Sequence, residues 1–495
     1  MGSAPPVESS QKHFVLVPWL SHGHVIPMMD MARLLAERGG IHVTVAISPV
    51  GAERIRSCFI EPVTAAKLPI SFLDLPFPCA EAGLPDGIET IEQIQDPSLF
   101  PKMHVAAGLL SKPLESKLRE LPRKPSVILA DLYHPWAREV AADLGVPLLL
   151  YYVFPCFAIL VYRSLRQHGV YDDGAADASR MFPVPDAPEY MVSRAQAPGT
   201  FDRPGWEWLR EEAIAAESAA AGVIFHSFDQ LEPNFLPKFQ EIMGGLKTWA
   251  IGPLSLSHKD VLAERGSANE VAADRCLTWL DANAPASVIY VCFGTNTYWT
   301  PQQIIEVGSG IESSGHPFIW VLKKRELTPE VEEFLSGGFE ERTRDRGLLI
   351  RGWAPQAAIL THKSIGGFMT HGGWNSSIEG VAAGVPMLTW PHFEDQFLHQ
   401  MIIVQALGTG IGVGVRAQED YIAQVMDTIK REQVEKAVRE LMGRGEEADA
   451  RRRKAKEYGE KARRAMEVGG SSYVNLTEVI DSIPAVVATE NGGGD

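Results

Sequence analysis

The chain has 495 residues, of which 45% are hydrophobic and 22% are charged, and its formal net charge is -16 at pH 7. This length predicts two domains, and the composition is that of a globular protein rather than a disordered or fibrous one. The acidic balance argues against a nucleic-acid partner, because binding to a phosphate backbone needs clustered Lys and Arg. The five scattered cysteines contain no C-x-x-C pair, which gives no zinc or dithiol signal and fits a reducing compartment.

The first half of the chain alternates predicted strands with predicted helices. It opens with a βαβ pattern formed by a strand over 13–19, a helix over 28–39 and a strand over 41–48. Pro27 is expected just ahead of that helix, where proline favours a helix start. Further strand-like apolar runs follow at 126–130, 147–154 and 222–227. The alternation predicts a parallel sheet covered by helices on both faces.

One segment, 146–162 (VPLLLYYVFPCFAILVY), is uncharged and almost long enough to cross a membrane. Pro147 and Pro155 divide it into a strand-like run and a separate helical run, and a strand buried on both faces of a parallel sheet is apolar throughout. We therefore predict a buried strand and no membrane span. Residues 1–12 are polar and lack the features of a signal peptide, so we expect a cytoplasmic protein.

A second alternating series begins after a polar stretch over about 255–275. Its predicted strands cover 287–295, 317–323, 347–353, 366–371 and 385–390. We expect an N-terminal domain over 12–254, a linker region over 255–285, a C-terminal domain over 286–482, whose last helix can pack back on the first domain, and a disordered tail over 483–495. Two doubly wound α/β domains facing each other leave a cleft at the carboxyl ends of their strands, where such sheets bind ligands.

The sequence lacks several motifs that define other enzyme classes. It contains no G-x-x-x-x-G-K-[ST] phosphate loop, no H-E-x-x-H zinc motif and no D-x-D that would hold a metal on a nucleotide diphosphate. The glycine-rich run over 408–414 does not have the spacing of a dinucleotide fingerprint. Kinase, metalloprotease and nicotinamide-dependent activities are therefore disfavoured.

Two residues that follow predicted strands could act as an acid–base pair. His24, like His22, lies in the loop SHGHVIP ahead of the first helix, whose positive end favours the neutral imidazole that a general base needs. Asp131 ends the strand over 126–130 and would point into the same cleft, where a carboxylate can fix the tautomer of an imidazole. The residues alone leave open two surface histidines and an aspartate that caps a helix or forms a structural ion pair.

The longest informative stretch runs from Trp353 to Gln396. Its centre, GGFMTHGGWNSSIE, predicts a strand, a glycine turn and a helix that begins at Asn375 and Ser376. Backbone amides and the amino end of such a helix can hold a pyrophosphate without a metal. A capping box formed by Ser376 and Glu379 would explain the same residues without a ligand, and Trp353 fits either a core position or stacking on a flat base.

The whole stretch, from WAPQ to DQ, resembles the PSPG signature box of plant secondary-product UDP-glycosyltransferases. The same resemblance extends to GHVIP (23–27), EAGLPDGIE (81–89), ADLYHPWA (130–137) and CLTWLDANAPASVIYVCFGT (276–295). It implies a GT-B architecture of two Rossmann-like domains facing across a cleft, with the acceptor bound mostly by the N-terminal half and the UDP-sugar by the C-terminal half. It also implies inverting transfer with His24 as the base and Asp131 as its partner, without a metal or a cofactor.

The resemblance assigns a role to each residue of the box. Trp353 would stack on uracil, Ala354 and Gln356 would contact the nucleoside, and Glu379 would hold the ribose hydroxyls. The pyrophosphate would be held by Thr295, His371, Gly373, Asn375 and Ser376. The sugar hydroxyls would be contacted by Trp374, Asp395 and Gln396, and a closing glutamine is typical of the members that use glucose.

The chain departs from the family pattern at a few positions. Gly372 stands where the family usually has cysteine, and Phe154 stands where relatives often have a small or hydroxylated residue near the sugar. Tyr133 and His134 follow Asp131 without an assigned role, although His134 could lie near the acceptor.

The sequence therefore predicts a UDP-glucose-dependent O-glucosyltransferase of plant specialised metabolism, with a flavonoid, another phenolic or a terpenoid as acceptor. The partners expected are this small molecule and the UDP-sugar, and the default oligomeric state is a monomer. Another donor sugar and transfer to nitrogen, sulfur or carbon stay open. Two other classes remain as rivals, a nicotinamide oxidoreductase and a non-catalytic UDP-sugar-binding module.

Overall fold

The computed structural model describes residues 12–94, 96–170, 177–199, 201–202, 205–257, 270–295, 297–392, 395–417 and 428–484. Its two large sheets are both parallel, and each is built from one half of the chain. The tail expected over 483–495 and the polar stretch expected near 255–275 fall largely outside the described residues.

The N-terminal sheet has seven parallel strands in the order β3-β2-β1-β4-β5-β8-β9. Its strands are β1 (Lys12–Val17), β2 (Ile41–Ile47), β3 (Ile70–Asp74), β4 (Val127–Asp131), β5 (Leu148–Tyr152), β8 (Gly222–Phe225) and β9 (Thr248–Ala250). A separate antiparallel hairpin is formed by β6 (Met181–Val184) and β7 (Ala187–Ser193). The central strands are buried along their whole length, because helices cover both faces of the sheet.

The helices of this half connect the parallel strands. They are α1 (His22–Glu37), α2 (Pro49–Arg54), α3 (Glu61–Ala65), α4 (Phe100–Gly108), α5 (Ser111–Glu120), α6 (Ala137–Leu144), α7 (Cys156–Gln167), α8 (Glu207–Ala219) and α9 (Phe235–Ile242). Short 3-10 or π-helical turns lie at Arg56–Ile60, Ile91–Gln93, Pro97–Leu99 and Leu254–Leu256.

The C-terminal sheet has six parallel strands in the order β12-β11-β10-β13-β14-β15. Its strands are β10 (Val288–Cys292), β11 (Phe318–Leu322), β12 (Gly347–Arg351), β13 (Ile365–Thr370), β14 (Met387–Thr389) and β15 (Gly410–Gly412). The glycine-rich run over 408–414, for which no strand was predicted, contributes the short edge strand β15. Edge strands of this length carry too few residues for a periodic signal.

The remaining helices complete this half and return to the first. They are α10 (Glu270–Asp281), α11 (Pro301–Ser314), α12 (Pro329–Phe334), α13 (Glu340–Thr343), α14 (Gln356–Leu360), α15 (Trp374–Ala383), α16 (Gln396–Met401), α17 (Arg431–Met442), α18 (Glu446–Met466) and α19 (Ser471–Ser482). Further 3-10 or π-helical turns lie at Lys324–Glu326, Leu335–Phe339 and Ile402–Ala406. On α19, the Asn475 amide donates to the Ala250 carbonyl, and the Arg38 guanidinium lies 3.4 Å from the centre of the Tyr473 ring, so the last helix packs on the N-terminal sheet.

The apolar segment over 146–162 divides as its prolines indicate. Its first part forms the buried strand β5, and its second part, after Pro155, forms most of α7. Within the described ranges, no helix is both long enough and apolar enough to cross a membrane.

The first helix begins six residues earlier than the sequence indicated. Helix α1 starts at His22 rather than at 28, so Pro27 lies inside it instead of just ahead of it. The expectation was wrong because Pro27 does not mark the start of the helix but occupies its sixth position, and the apolar periodicity used for the prediction begins only at Met28. Since Pro27 has no N–H, it cannot donate to the carbonyl of Gly23 four residues earlier.

A buried carboxylate holds the amino end of α7. Glu232 is fully buried, and its two oxygens accept the backbone N–H groups of Cys156 at 3.0 Å and Phe157 at 2.8 Å. These are two of the four N–H groups that the first turn of a helix leaves without a partner. The contact fixes where α7 starts relative to the preceding strand β5.

We predict that Glu232→Ala lowers the free energy of unfolding by about 1–3 kcal/mol for each of the two buried amides that loses its acceptor. Glu232→Gln is the matched control, because its single amide oxygen still accepts one of the two bonds and its loss should be smaller. Urea unfolding followed by tryptophan fluorescence measures both. Equal stability of the alanine and glutamine variants would contradict this account of the carboxylate.

Candidate active site

The two sheets share a strand order whose direction reverses once in each half. In the N-terminal sheet the reversal lies between β1 and β4, and in the C-terminal sheet it lies between β10 and β13. Such switch points open a crevice at the carboxyl ends of the strands, and ligands of doubly wound sheets bind there. The candidate site residues follow these four strands: His24 after β1, Asp131 at the end of β4, Thr295 after β10 and His371 after β13.

The N-terminal switch point brings His24 and Asp131 together. The distance between His24 Nδ1 and Asp131 Oδ2 is 2.7 Å, and the side chains are 12% and 0% exposed. The other carboxylate oxygen, Oδ1, accepts the backbone N–H of Tyr133 at 3.0 Å, so the carboxylate is oriented from both sides. A carboxylate bonded to Nδ1 leaves Nε2 as the nitrogen that can accept a proton.

The neighbouring His22 does not join this pair. It is exposed, and its backbone N–H donates to Glu92 Oε1 at 2.8 Å. The same Glu92 oxygen accepts the hydroxyl of Ser21 at 2.7 Å. Glu92 thus holds the start of α1, a function that the sequence did not reveal because the contact joins segments about 70 residues apart.

Aromatic rings surround the open side of His24. The Tyr133 and Phe154 rings both meet His24 edge-on, with centroids 5.2 and 5.6 Å away. His134, which the sequence left without a role, is buried, and its two nitrogens are occupied by the carbonyl of Pro18 and the indole N–H of Trp136. His134 therefore supports the fold at this point, whereas Tyr133 and Phe154 border the site.

The C-terminal switch point surrounds His371 with glycines. A Cβ atom at Gly294 or at Gly373 would overlap the imidazole of His371, so only glycine allows the ring its position between the two loops. Gly294 has a φ of 64° and Gly372 a φ of 78°, both in the region that favours glycine. Burial, together with the positive charge of Lys323, lowers the pKa of His371 to about 3, so the imidazole is neutral.

Two cations that the sequence analysis missed hold the loop of Thr295. Lys323 Nζ donates to the carbonyl and the hydroxyl of Thr297, both at 2.6 Å, and pairs with Glu326 at 2.9 Å. Arg325 donates to the carbonyls of Thr295 and Thr297. Thr295 itself is exposed at the edge of the cleft. Both cations follow β11, next to β10 in the sheet. The signal that could have found them was their position at the carboxyl end of the predicted strand over 317–323, which ends at Lys323.

Three of the residues predicted to contact the nucleoside and the pyrophosphate form a hydrogen-bonded cluster. Gln356 Nε2 donates to Ser376 Oγ at 3.1 Å and to Glu379 Oε2 at 2.9 Å. The capping-box alternative for Ser376 and Glu379 is wrong, because α15 begins at Trp374, which makes these residues the third and sixth of the helix, and its N-cap is Gly373. Beside the cluster lie the half-buried Trp353 and the buried Ala354, between β12 and α14.

The first turn of α15 is bonded to the N-terminal domain. The indole N–H of Trp374 donates to the carbonyl of His226 at 2.6 Å, so this group is not free for a sugar hydroxyl. Asn375 Nδ2 donates to the carbonyl of Gly23 at 2.7 Å, the carbonyl that Pro27 leaves free. The bond to Gly23 uses one of the two N–H groups of Asn375 Nδ2, so Asn375 keeps its second side-chain N–H as a donor, whereas the single indole N–H of Trp374 is already used.

The last two predicted residues lie at the start of α16. Gln396 is buried, and its Oε1 accepts the backbone N–H of His392 at 2.8 Å, which turns its NH₂ group away from that loop. Asp395 is the N-cap residue of α16, and His399 Nε2 lies 3.7 Å from its Oδ2. In the part of the chain that the structure describes, no group of three or more His, Cys, Asp or Glu side chains is arranged to hold a metal ion.

Comparison with known proteins gives this arrangement a family. The family model for UDP-glucoronosyl and UDP-glucosyl transferases matches residues 269–442, and that for the glycosyltransferase N-terminal domain matches residues 11–256. UDP-glycosyltransferase 73C6 of Arabidopsis thaliana is 40% identical over 97% of this chain and 98% of its own length. UDP-glycosyltransferase 73C9 of Barbarea vulgaris is 38% identical over 98% of this chain and 99% of its own.

Solved structures agree with this assignment. That of UGT73P12 from Glycyrrhiza uralensis, complexed with glycyrrhetinic acid 3-O-monoglucuronide, has a TM-score of 0.85 at 31% identity and covers 95% of both chains. That of UGT2 from Phytolacca americana, complexed with UDP-2fluoro-glucose and pterostilbene, has a TM-score of 0.75 at 25% identity over 95% of this chain and 99% of its own. The fold is the GT-B fold. The chain belongs to the plant UDP-glycosyltransferases and is a UDP-sugar-dependent glycosyltransferase.

We predict that Asp131→Asn lowers kcat by about 10²- to 10⁴-fold, because the amide cannot stabilise the imidazolium that forms when the base takes a proton. Turnover with UDP-glucose and an acceptor measures the loss, and the rise in melting temperature with UDP checks that the donor still binds. His22→Gln is the matched control, since the His22 side chain is exposed and should leave turnover unchanged. An asparagine variant with nearly full turnover would contradict the role of Asp131.

We predict that acid destabilises the protein below pH 6.5. Burial lowers the pKa values of His104 and His399 to about 3 and that of His134 to about 4, from 6.5. The unfolded chain binds these protons at a higher pH than the folded chain does. Stability is therefore complete above pH 6.5 and is lost as the pH falls toward the folded-state values, by up to about 1.4 kcal/mol per pH unit for each histidine.

Urea unfolding at pH 7, 6 and 5 measures this slope. His399→Gln should be less stable at pH 7, because His399 Nδ1 lies 2.9 Å from the carbonyl of Gly372, but its slope below pH 6.5 should be flatter by one proton. A parent protein with the same stability at pH 7 and pH 5 would show that these histidines are not kept neutral by the fold.

Proposed function

We propose that this glycosyltransferase moves glucose from UDP-glucose to a hydroxyl group of a small lipophilic acceptor, with inversion at the anomeric carbon. The observation that carries the proposal is the 2.7 Å bond between His24 Nδ1 and Asp131 Oδ2 at the N-terminal switch point, opposite the amino end of α15. A pure UDP-sugar-binding module has no use for an oriented imidazole and carboxylate on the other side of the cleft.

In the proposed reaction, His24 Nε2 takes the proton of the acceptor hydroxyl as its oxygen attacks the anomeric carbon. The bond between that carbon and the phosphate oxygen breaks, and UDP leaves with the electron pair. Asp131 stabilises the imidazolium that forms, and the carboxylate itself does not need to be protonated. General-base assistance of this kind contributes about 10²- to 10⁴-fold.

The negative charge that develops on UDP would be held from the C-terminal domain. The first turn of α15 presents backbone N–H groups and the positive end of the helix dipole. The neutral imidazole of His371 can donate one further hydrogen bond, because glycines on both sides let it approach. Donors fixed in place before the reaction stabilise a leaving group without reorganisation.

The proposal of glucose as the donor sugar depends on Gln396, the closing glutamine at the start of α16. Gln396 has its amide oxygen bonded to the backbone of His392, so it offers an NH₂ group, and Asp395 offers a carboxylate as the acceptor for sugar hydroxyls. The structure of UGT71G1 from Medicago truncatula, solved in complex with UDP-glucose, covers 96% of this chain at 24% identity and a TM-score of 0.79, which supports the fold of this half.

A flat, lipophilic acceptor fits the surroundings of His24. The Tyr133 and Phe154 rings border the imidazole, and the Phe201 ring lies 5.3 Å from that of Tyr133. Aromatic surfaces of this kind bind flavonoids, other phenolics and terpenoids through apolar contact and ring packing. Two related structures were solved in complex with glycyrrhetinic acid 3-O-monoglucuronide and with pterostilbene.

The test is a mass-spectrometric assay of the purified protein with a mixed panel of flavonoid, phenolic and terpenoid alcohols, with UDP-glucose or UDP-galactose as the donor. We predict hexose adducts mainly with UDP-glucose, and a loss of about 10²- to 10⁴-fold in His24→Ala with UDP binding retained. Stable UDP binding without any adduct would favour a binding module. A stronger preference for UDP-galactose would overturn the donor assignment but leave the reaction class standing.

A further inference from the structure

An aromatic cluster next to the catalytic pair contains two buried polar atoms without partners. Trp19 follows β1, and His104 lies in α4, and their rings stack with centroids 4.8 Å apart and planes at 14°. Trp19 is 1% exposed and His104 is 7% exposed. Among the described residues, neither Trp19 Nε1 nor His104 Nδ1 has a hydrogen-bond partner.

Atoms of this kind are unusual in a folded protein. Burying a donor or an acceptor without a partner costs about 1–3 kcal/mol, and most buried polar groups are therefore paired. The same cluster shows that pairing is achievable here, because both nitrogens of His134, whose ring lies 5.3 Å from that of Trp19, are bonded. Two unpaired atoms on two stacked rings point to a partner that binds from outside.

The Tyr133 ring lies between the proposed base, His24, and the stacked pair. The Tyr133 ring is 5.2 Å from His24 on one side and 5.7 Å from His104 on the other. Phe201 and Trp206 meet the His104 ring edge-on at 5.7 and 5.2 Å. A flat acceptor lying along Tyr133 with one end at His24 would therefore reach the stacked pair with its other end.

We propose that Trp19 and His104 form a polar recognition site for a hydroxyl group at the end of the acceptor opposite the one that is glucosylated. This inference rests on the proposed function and names the acceptor class more closely. A hydroxyl oxygen can accept the indole N–H of Trp19, and its proton can be donated to the lone pair of His104 Nδ1 in one imidazole tautomer. Acceptors that carry hydroxyls at both ends of a planar aromatic frame satisfy both atoms, whereas acceptors with an apolar far end leave both unpaired.

Burial keeps the His104 imidazole neutral, since it lowers the pKa to about 3, and this agrees with an uncharged partner. A neutral imidazole offers one lone pair and one N–H, which suits a hydroxyl. An ammonium group on the acceptor would find no anionic side chain among the members of this cluster, which are Trp19, His104, Tyr133, His134, Phe201 and Trp206.

The probes for the test are 4-hydroxybiphenyl and 4,4′-dihydroxybiphenyl. The second differs by one hydroxyl at the far end, and its symmetry means that either hydroxyl can face His24. Both are competed against an acceptor that the parent protein glucosylates, so their inhibition constants report binding whether or not they are themselves glucosylated. We expect the parent protein to bind 4,4′-dihydroxybiphenyl about tenfold more tightly than 4-hydroxybiphenyl, in addition to the factor of two that comes from the symmetry of the diphenol.

The variants His104→Phe and Trp19→Phe keep an aromatic ring and remove the polar atom. We expect the preference for the diphenol to fall to the symmetry factor in each, while the inhibition constant of 4-hydroxybiphenyl stays within about twofold. Trp206→Phe is the matched control, because it removes an indole N–H from the same cluster and should leave the preference intact. Stabilisation by UDP checks that each variant is folded.

The outcomes separate this inference from the proposed function. A parent protein without preference for the diphenol, or variants that weaken both probes equally, would show that the stacked pair is only structural. If Trp206→Phe also loses the preference for the diphenol, the assignment of the recognition site to Trp19 and His104 is overturned. If no panel acceptor is glucosylated at all, the proposed function fails first, and the recognition site fails with it.

Discussion

The parallel pairing of β1 with β4 creates the geometry of the acceptor side. Phe14 lies opposite Val127 and Val17 opposite Ala130, so the ends of the two strands fall side by side although more than a hundred residues separate them. The residue after this register on β4 is Asp131, and the loop after β1 turns directly into α1 with His24 in its first turn. The 2.7 Å bond between them is thus a consequence of strand register, and a slip of one residue would turn the carboxylate to the other face of the sheet.

The donor side is attached to the acceptor side through the first turns of two helices. A proline inside α1 frees the carbonyl of Gly23, and the amide of Asn375 at the start of α15 takes it. Gly23 precedes His24, so a residue of the C-terminal half holds the backbone next to the proposed base. The neighbouring Trp374 is bonded to the carbonyl of His226 in the same way. These contacts couple the position of α15 to that of the imidazole of His24.

Neutral histidines recur through both halves of the site. His371 lies between glycines at the C-terminal switch point, His134 supports the loop after β4, and His104 stacks on Trp19. A neutral imidazole can serve as a donor and an acceptor at once without the desolvation cost of a charge. These histidines also make the folded state sensitive to acid, because each ring must stay unprotonated to keep its contacts.

The sequence by itself determined the features that depend on residues close together in the chain, which are the order of strands and helices and the family motif. Alternating apolar runs predicted two parallel sheets, the prolines at 147 and 155 separated β5 from α7, and the 44-residue stretch ending at Gln396 predicted the UDP-sugar family that the comparisons confirmed. The position of His24 and Asp131 after predicted strands made them candidates, and the resemblance to the family selected them as partners. These are local signals, in which the residues that carry the information are neighbours along the chain.

Only the tertiary structure decided which partner each polar group takes. The start of α1 at His22, the cap of α15 at Gly373, the bond of Trp374 to His226 and the stacking of His104 on Trp19 all depend on which segments meet. Local patterns cannot supply this information, because a capping box or a loop histidine has the same sequence whether its atoms face solvent, a distant backbone or a ligand. Packing removes water from the polar groups, and each group then bonds to whichever partner the tertiary structure places within hydrogen-bonding distance.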